Sequence, residues 1–127
     1  IMEKRMAVWN AYHEAFAPLE AAGKVRRPVI PPDCAHNAHL YYLLWPDNEL
    51  RDAFIAFCAE RQITAVFHYI PLHLSDMGKS LGYRAGGLPV TESCAERLVR
   101  LPLYAELTER EVAAVGEAVF DFARQRL

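Results

Sequence analysis

Little in this sequence points outward to nucleic acid, membrane or metal. Lysine and arginine (14) are outnumbered by aspartate and glutamate (16), leaving a formal charge of −2. There is no basic excess of the kind that neutralises a phosphate backbone or an anionic bilayer. No apolar run approaches the ~18 residues of a membrane span. The first ten residues lack the basic start and short apolar block of a signal peptide. Cysteine is sparse. Cys34, Cys58 and Cys94 are odd in number and form no CxxC, so they read as reduced, mostly buried thiols of a cytoplasmic protein rather than a disulfide framework. Repeats and low-complexity segments are absent too.

What remains is an ordinary globular composition, 53% apolar and 24% charged over 127 residues, enough for one domain with a core that needs no staples. The chain opens inside an amphipathic pattern. Met2, Met6, Trp9, Phe16 and Leu19 recur at helical spacing with no Ser, Thr, Asp or Asn cap before them, so further chain is expected upstream. The spacing predicts a helix to about Ala17, interrupted by Pro18 and closed by Gly23. A proline-bearing connector spans residues 24–37. His39–Trp45 reads as a buried strand. Asp47 caps a helix with Leu50, Phe54, Phe57 and Cys58 inward. Ile63–Phe67 reads as a second strand, and residues 70–90 as a long loop. A short helix from Thr91 turns Cys94, Ala95 and Leu98 inward, and Val99–Leu103 is a third strand. There Pro102 implies an edge position or a strand end. Thr108 and Glu111 form a capping box opening a last helix with Val112, Val115, Val119 and Phe122 on one stripe. The expected class is α+β, a small three-stranded sheet covered by helices.

Chemistry concentrates in Phe67–His73, FHYIPLH. Two imidazoles and a phenol sit at the end of a strand that feeds a loop, a rigid support beside an open segment. The plain alternative is polar side chains satisfied locally. His36 and His39, three apart, and His68 and His73, five apart, have neither HExxH nor CxxC context, so no metal site is expected. Met77-Gly78-Lys79-Ser80 looks like the end of a P-loop. The earlier glycine that motif requires would fall at His73, and no strand leads into it, so Lys79 reads instead as a loop cation facing a ligand phosphate or solvent. Trp9, Tyr12 and Phe16 form a stripe suited to core or interface.

These motifs in order resemble the C-terminal portion of the DegT/DnrJ/EryC1/StrS sugar aminotransferases, fold type I pyridoxal-phosphate enzymes. The matching stretches are Tyr12-His13, Arg27-Pro28-Val29-Ile30-Pro31, Asn37–Tyr42, Ile63–His73, Thr91-Glu92 and Arg100-Leu101-Pro102-Leu103-Tyr104. The spelling AVFHYIPLH most resembles the dTDP-4-oxo-6-deoxy-D-glucose transaminases of surface-polysaccharide and lipopolysaccharide synthesis. The resemblance implies a linking helix at residues 1–22 and a small C-terminal domain at 23–127. It also implies a large N-terminal domain elsewhere that binds most of the pyridoxal 5′-phosphate, and a homodimer. His68 and Tyr69 match positions lining the nucleotide-sugar site, with His73 and Lys79 as further substrate-binding candidates. The family's Schiff-base lysine context surrounds none of Lys4, Lys24 and Lys79. No catalytic or cofactor-binding residue is therefore assigned here, and the stretch alone is expected to be inactive. A free-standing α+β ligand-binding or regulatory module is the competing expectation.

Overall fold

The sheet is built from three short strands whose order is not the chain order. In the computed structural model, which describes residues 1–127, β1 (Tyr41–Leu44), β2 (Val66–Phe67) and β3 (Leu98–Leu101) pair antiparallel as β1-β3-β2. Register places Tyr41 opposite Leu101, Leu43 opposite Val99, and both Tyr42 and Val66 opposite Arg100. Side chains alternate across a pleat. Tyr41, Leu43, Val99 and Leu101 therefore share one face, and all four are buried. Tyr42, Leu44, Leu98, Arg100 and Val66 share the other, where Leu44 is buried, Tyr42, Leu98 and Arg100 are half-buried and Val66 is exposed. The sheet thus has one packed face and one only partly covered, its more open face.

The packed face is covered by α1 (Met2–Ala15), α3 (Asn48–Ala59) and α6 (Glu109–Arg126). Aromatic rings knit it together. Trp45, Phe54 and Phe122 meet with centroids 4.8, 5.1 and 5.3 Å apart, and Trp9 and Tyr12 reach Tyr41 at 5.3 and 5.4 Å. Such pairs add about 0.5–1.5 kcal/mol each beyond their buried area. Residues 1–22 contribute Val8, Trp9, Tyr12, Phe16 and Leu19 to this same core. Pro18 begins a separate short helix, α2 (Ala17–Ala21), where its missing N–H costs nothing. Gly23, at φ +70°, then lets the Lys24 and Gly23 amides return to the Leu19 and Glu20 carbonyls, a Schellman ending. Asp47 accepts from the Leu50 amide at 2.8 Å, and the Thr108–Glu111 capping box is complete. No helix is long and apolar enough to cross a membrane.

Several expected boundaries shift for identifiable reasons. His39 and Leu40 stay outside β1, because Ala38, at φ +47°, turns the chain just upstream of them. Ile63–Ala65 stays outside β2: Gln62, at φ +59°, closes α3 in a second Schellman turn, and the Ala65 amide bonds back to the Ile63 carbonyl at 3.1 Å. β3 ends at Leu101, as Pro102 requires, but it is the central strand and not an edge. Residues 70–90 are not a bare loop. They hold a 3₁₀ turn (Leu72–Leu74), α4 (Asp76–Ser80) capped by the Ser75 hydroxyl, and the start of α5 (Pro89–Arg97), two residues earlier than Thr91. Lys79 is therefore helical. Cys94 and Ala95 are half-buried, and Leu98 belongs to the strand, on its open face. Of the cysteines only Cys58 is fully buried, its thiol pushed up to about 12 by desolvation, whereas Cys34 is exposed.

Candidate functional site

His68 and Tyr69 directly follow β2, the edge strand. Pro71 disfavours helical backbone at Ile70 and ends the ladder. The two rings lie 4.9 Å apart, tilted by 60°. Tyr69 is 73% exposed, whereas His68 is half-buried and its Nδ1 has no hydrogen-bond partner in the chain. The guanidinium of Arg100 lies 5.7 Å from the centre of the Tyr69 ring. Burial, and then the positive charge of Arg100, lower the His68 pKa from 6.5. Its imidazole is accordingly neutral near pH 7, one ring nitrogen donating and the other accepting.

His73 is placed differently. It sits in the 3₁₀ turn, 7% exposed, with Nε2 2.9 Å from Oε1 of Glu92 on α5. Glu92 also accepts the Gly86 amide, at 3.0 and 2.9 Å to its two oxygens, and the Leu88 amide at 3.2 Å. Those donors hold the Glu92 carboxyl below its usual range, the Gly86 amide first, then the His73 ring, then the Leu88 amide. One carboxylate therefore fastens the 3₁₀ turn and the glycine-rich loop to α5. Gly78 completes the packing. A Cβ there would stand 2.4 Å from the Leu72 carbonyl oxygen, so only glycine lets α4 lie this close to the turn. Beside the clasp His73 borders an open apolar concavity of about 650 Å³ with Leu72, Met77, Leu81, Tyr83 and Leu88.

Of the four sequence candidates, the structure brings His68 and Tyr69 together and turns His73 towards Glu92. Lys79 is exposed on α4, and no hydrogen bond or ion pair joins it to the other three. Two further residues, Glu92 and Arg100, lie in the stretches that carry the resemblance but were not among the candidate site residues. His36 packs against Trp9 at 4.5 Å and His39 is exposed. No three His, Cys, Asp or Glu side chains converge on a common point. The chain's own residues do not fit a covalently held pyridoxal phosphate. A Schiff-base lysine needs a desolvated amine, and Lys4 and Lys79 are exposed while Lys24, half-exposed, follows the Gly23 turn.

Comparison with known proteins places this geometry. A model of the DegT/DnrJ/EryC1/StrS aminotransferase family matches residues 1–120. An uncharacterized protein of Methanocaldococcus jannaschii is 36% identical over 124 residues, 94% of this chain and 31% of that protein. A pleiotropic regulatory protein of Geobacillus stearothermophilus is 38% identical over 97 residues, covering 76% of this chain and 26% of its own length. A dTDP-3-amino-3,4,6-trideoxy-alpha-D-glucose transaminase of Micromonospora megalomicea is 29% identical over 121 residues, 91% and 32% of the two chains. Among solved structures, S. venezuelae DesV in complex with a ketimine intermediate superposes with a TM-score of 0.87 at 28% identity, covering 98% of this chain and 32% of that one. The chain thus spans about a third of the length of the proteins it matches.

Proposed function

Because this chain belongs to the DegT/DnrJ/EryC1/StrS aminotransferase family, whose cofactor is pyridoxal 5′-phosphate, we propose that it is the small C-terminal domain of a sugar-nucleotide transaminase. The whole protein then moves an amino group from glutamate to a nucleotide-linked 4-keto-6-deoxy sugar, for surface polysaccharide or lipopolysaccharide, in the cytoplasm and as a homodimer. In that protein residues 1–22 form the helix entering from the large domain, and this chain alone turns over nothing. Transaminase relatives named for dTDP-linked 3-amino sugars support a nucleotide-linked sugar as substrate, whichever carbon is aminated.

The observation that carries the reading is the strand end itself. Tyr69 offers an exposed ring and hydroxyl, and His68 a half-buried neutral ring whose unpaired Nδ1 is itself buried, both held directly after β2. When bound, the cofactor supplies the electron sink for amino transfer. The contribution of this chain is to grip and orient the sugar nucleotide. His68 and Tyr69 supply hydrogen bonds to its hydroxyls or phosphates, with His73 in the clasped 3₁₀ turn and Lys79 on α4 as further contacts to the same ligand. Positioning contacts of this kind are worth on the order of 10²-fold in rate. The test is steady-state kinetics of full-length His68→Ala and Tyr69→Phe with the keto sugar nucleotide and glutamate. Both should lose kcat/KM on that scale, and wild-type values in both would leave a locally satisfied strand end instead.

A second reading, a ligand-binding or regulatory module, is favoured by one observation, the name of the G. stearothermophilus relative. A full-length protein with no cofactor absorbance and no amino transfer would support it over the first.

A further inference from the structure

Five arginines of this chain are half-buried: Arg5, Arg27, Arg51, Arg97 and Arg100. Four have oxygen partners. Arg5 donates to the Ala38 and Asn37 carbonyls, Arg27 to Glu20 and Arg97 to the Ser93 carbonyl, while Arg51 donates to Asn48 and forms an ion pair with Asp52 although its buried Nε makes no hydrogen bond. Arg100 has none. Its Nε is buried, and no hydrogen bond or ion pair reaches its guanidinium. The residues across from it on both neighbouring strands, Tyr42 and Val66, bring no carboxylate. Its one close partner is the Tyr69 ring, whose centre lies 5.7 Å from the guanidinium carbon, an attraction that uses none of its N–H donors.

A guanidinium keeps its charge at any physiological pH and presents five N–H donors in a rigid fork. In Arg100 the Nε is desolvated without an oxygen partner, a cost that an anion seated on the guanidinium would offset. Arg100 lies midway along the central strand, on its less covered face; the Tyr69 ring lies 5.7 Å from it, and its charge is felt at His68. No carboxylate pairs with it, Glu92 and Glu96 lining instead the cleft that Tyr69 shares with Arg51, and a planar fork matches the paired oxygens of a phosphate better than a point charge does.

We propose that Arg100, flanked by His68 and Tyr69, is an oxyanion-binding residue that holds the diphosphate of the nucleotide-linked sugar. This rests on the transaminase reading for the identity of the ligand. It goes beyond that reading by assigning the diphosphate to the open face of the sheet, through a residue outside the strand-end motif. Sugar orientation then falls to His68 and Tyr69, and anchoring of the charged tail to Arg100.

The test uses the full-length protein with cofactor and compares Arg100→Met, which keeps the stem over Tyr69 and removes the charge, with Arg100→Lys, which keeps the charge and removes the fork. Two quantities are read: equilibrium binding of dTDP by calorimetry, and KM for the keto sugar nucleotide and for glutamate measured separately. Arg100→Met should weaken dTDP binding and raise the sugar-nucleotide KM at least tenfold. Arg100→Lys should fall between it and wild type, and the glutamate KM should stay within twofold in both. Unchanged dTDP affinity in two variants that melt like wild type would overturn the proposal. So would a rise confined to the glutamate KM, which would assign the oxyanion to the donor's carboxylate. Should Arg100→Met not fold, the lysine variant carries the same comparison through loss of the fork. Arg100-dependent dTDP binding in a protein without amino transfer would keep the anion site and discard the transaminase.

Discussion

Nε2 of His73 and Oε1 of Glu92 meet at 2.9 Å across 19 residues of chain, and the same carboxylate takes up the amides of Gly86 and Leu88. This side chain is what joins the 3₁₀ turn, the glycine-rich loop and α5, in a region where few residues are fully buried.

The clasp is acid-sensitive, and its sign follows from the depressed Glu92 pKa. A carboxylate whose folded value lies below its unfolded one stabilises the fold above the unfolded value, about 4.3. That contribution is lost as pH falls through the lower, folded value. Protection at Gly86 and Leu88, the observed exchange divided into the intrinsic rate at each pH, should therefore be raised at neutral pH and be lost as pH falls through the folded Glu92 value, while the core amides of α6 stay protected. In Glu92→Ala that protection should already be lost at pH 7. Protection at Gly86 that survives Glu92→Ala would remove the carboxylate from its assigned role.

Gly78→Ala probes the same region from the packing side. The added Cβ would stand 2.4 Å from the Leu72 oxygen and 2.7 Å from the His73 carbonyl, and those are backbone atoms that cannot swing aside. Overpacking costs typically about 1–3 kcal/mol. The loss should appear as a lower midpoint in urea together with faster exchange over residues 72–80. A variant within about 0.5 kcal/mol of wild type would mean that the turn yields freely.

In the core, Phe122→Ala should be far more damaging. Phe122 is 1% exposed and meets Trp45, Phe54 and Phe57, so truncation removes the ring on which β1, α3 and α6 converge. The expected cost is about 3–5 kcal/mol, read from denaturant unfolding. Tyr104→Ala, at a residue 46% exposed, serves as the control with little effect. Equal losses in the two would contradict the assigned core.

These elements differ in how far the sequence reveals them. The stripe ending at Phe122 and the run around Leu43 announce themselves through periodicity, because burial selects apolar residues at fixed spacing. The capping box is visible because its two partners lie three residues apart. Glu92 is not, since its partners His73 and Gly86 become neighbours only once the loop has folded. Its one cue is the Thr91-Glu92 pair at the expected start of a helix. Arg100 stands in an alternating stretch that marks it as outward. Only the register, with Tyr42 on one side and Val66 on the other, shows that outward means the open face of a central strand. Pro102 allowed either an edge or a strand end because proline lacks a ladder donor; the strand end is the one realised, and by following the last paired residue it leaves the central position of β3 untouched.

His68 offers a spectroscopic check on its surroundings that does not depend on turnover. Its pKa is lowered from 6.5, first by burial and then by the charge of Arg100. Because the folded value lies below the unfolded one, the unfolded chain binds the proton more readily. The neutral ring therefore favours the fold above the unfolded value, and that contribution is lost as pH falls through the folded value. An NMR titration of the imidazole should give a midpoint below 6.5, the value from which it is lowered. Replacing Arg100 by Gln removes the nearby charge and leaves the burial, so the midpoint should move up without returning fully to 6.5. A His68 midpoint unmoved by Arg100→Gln would show that the two side chains do not share one electrostatic surface on the open face of the sheet.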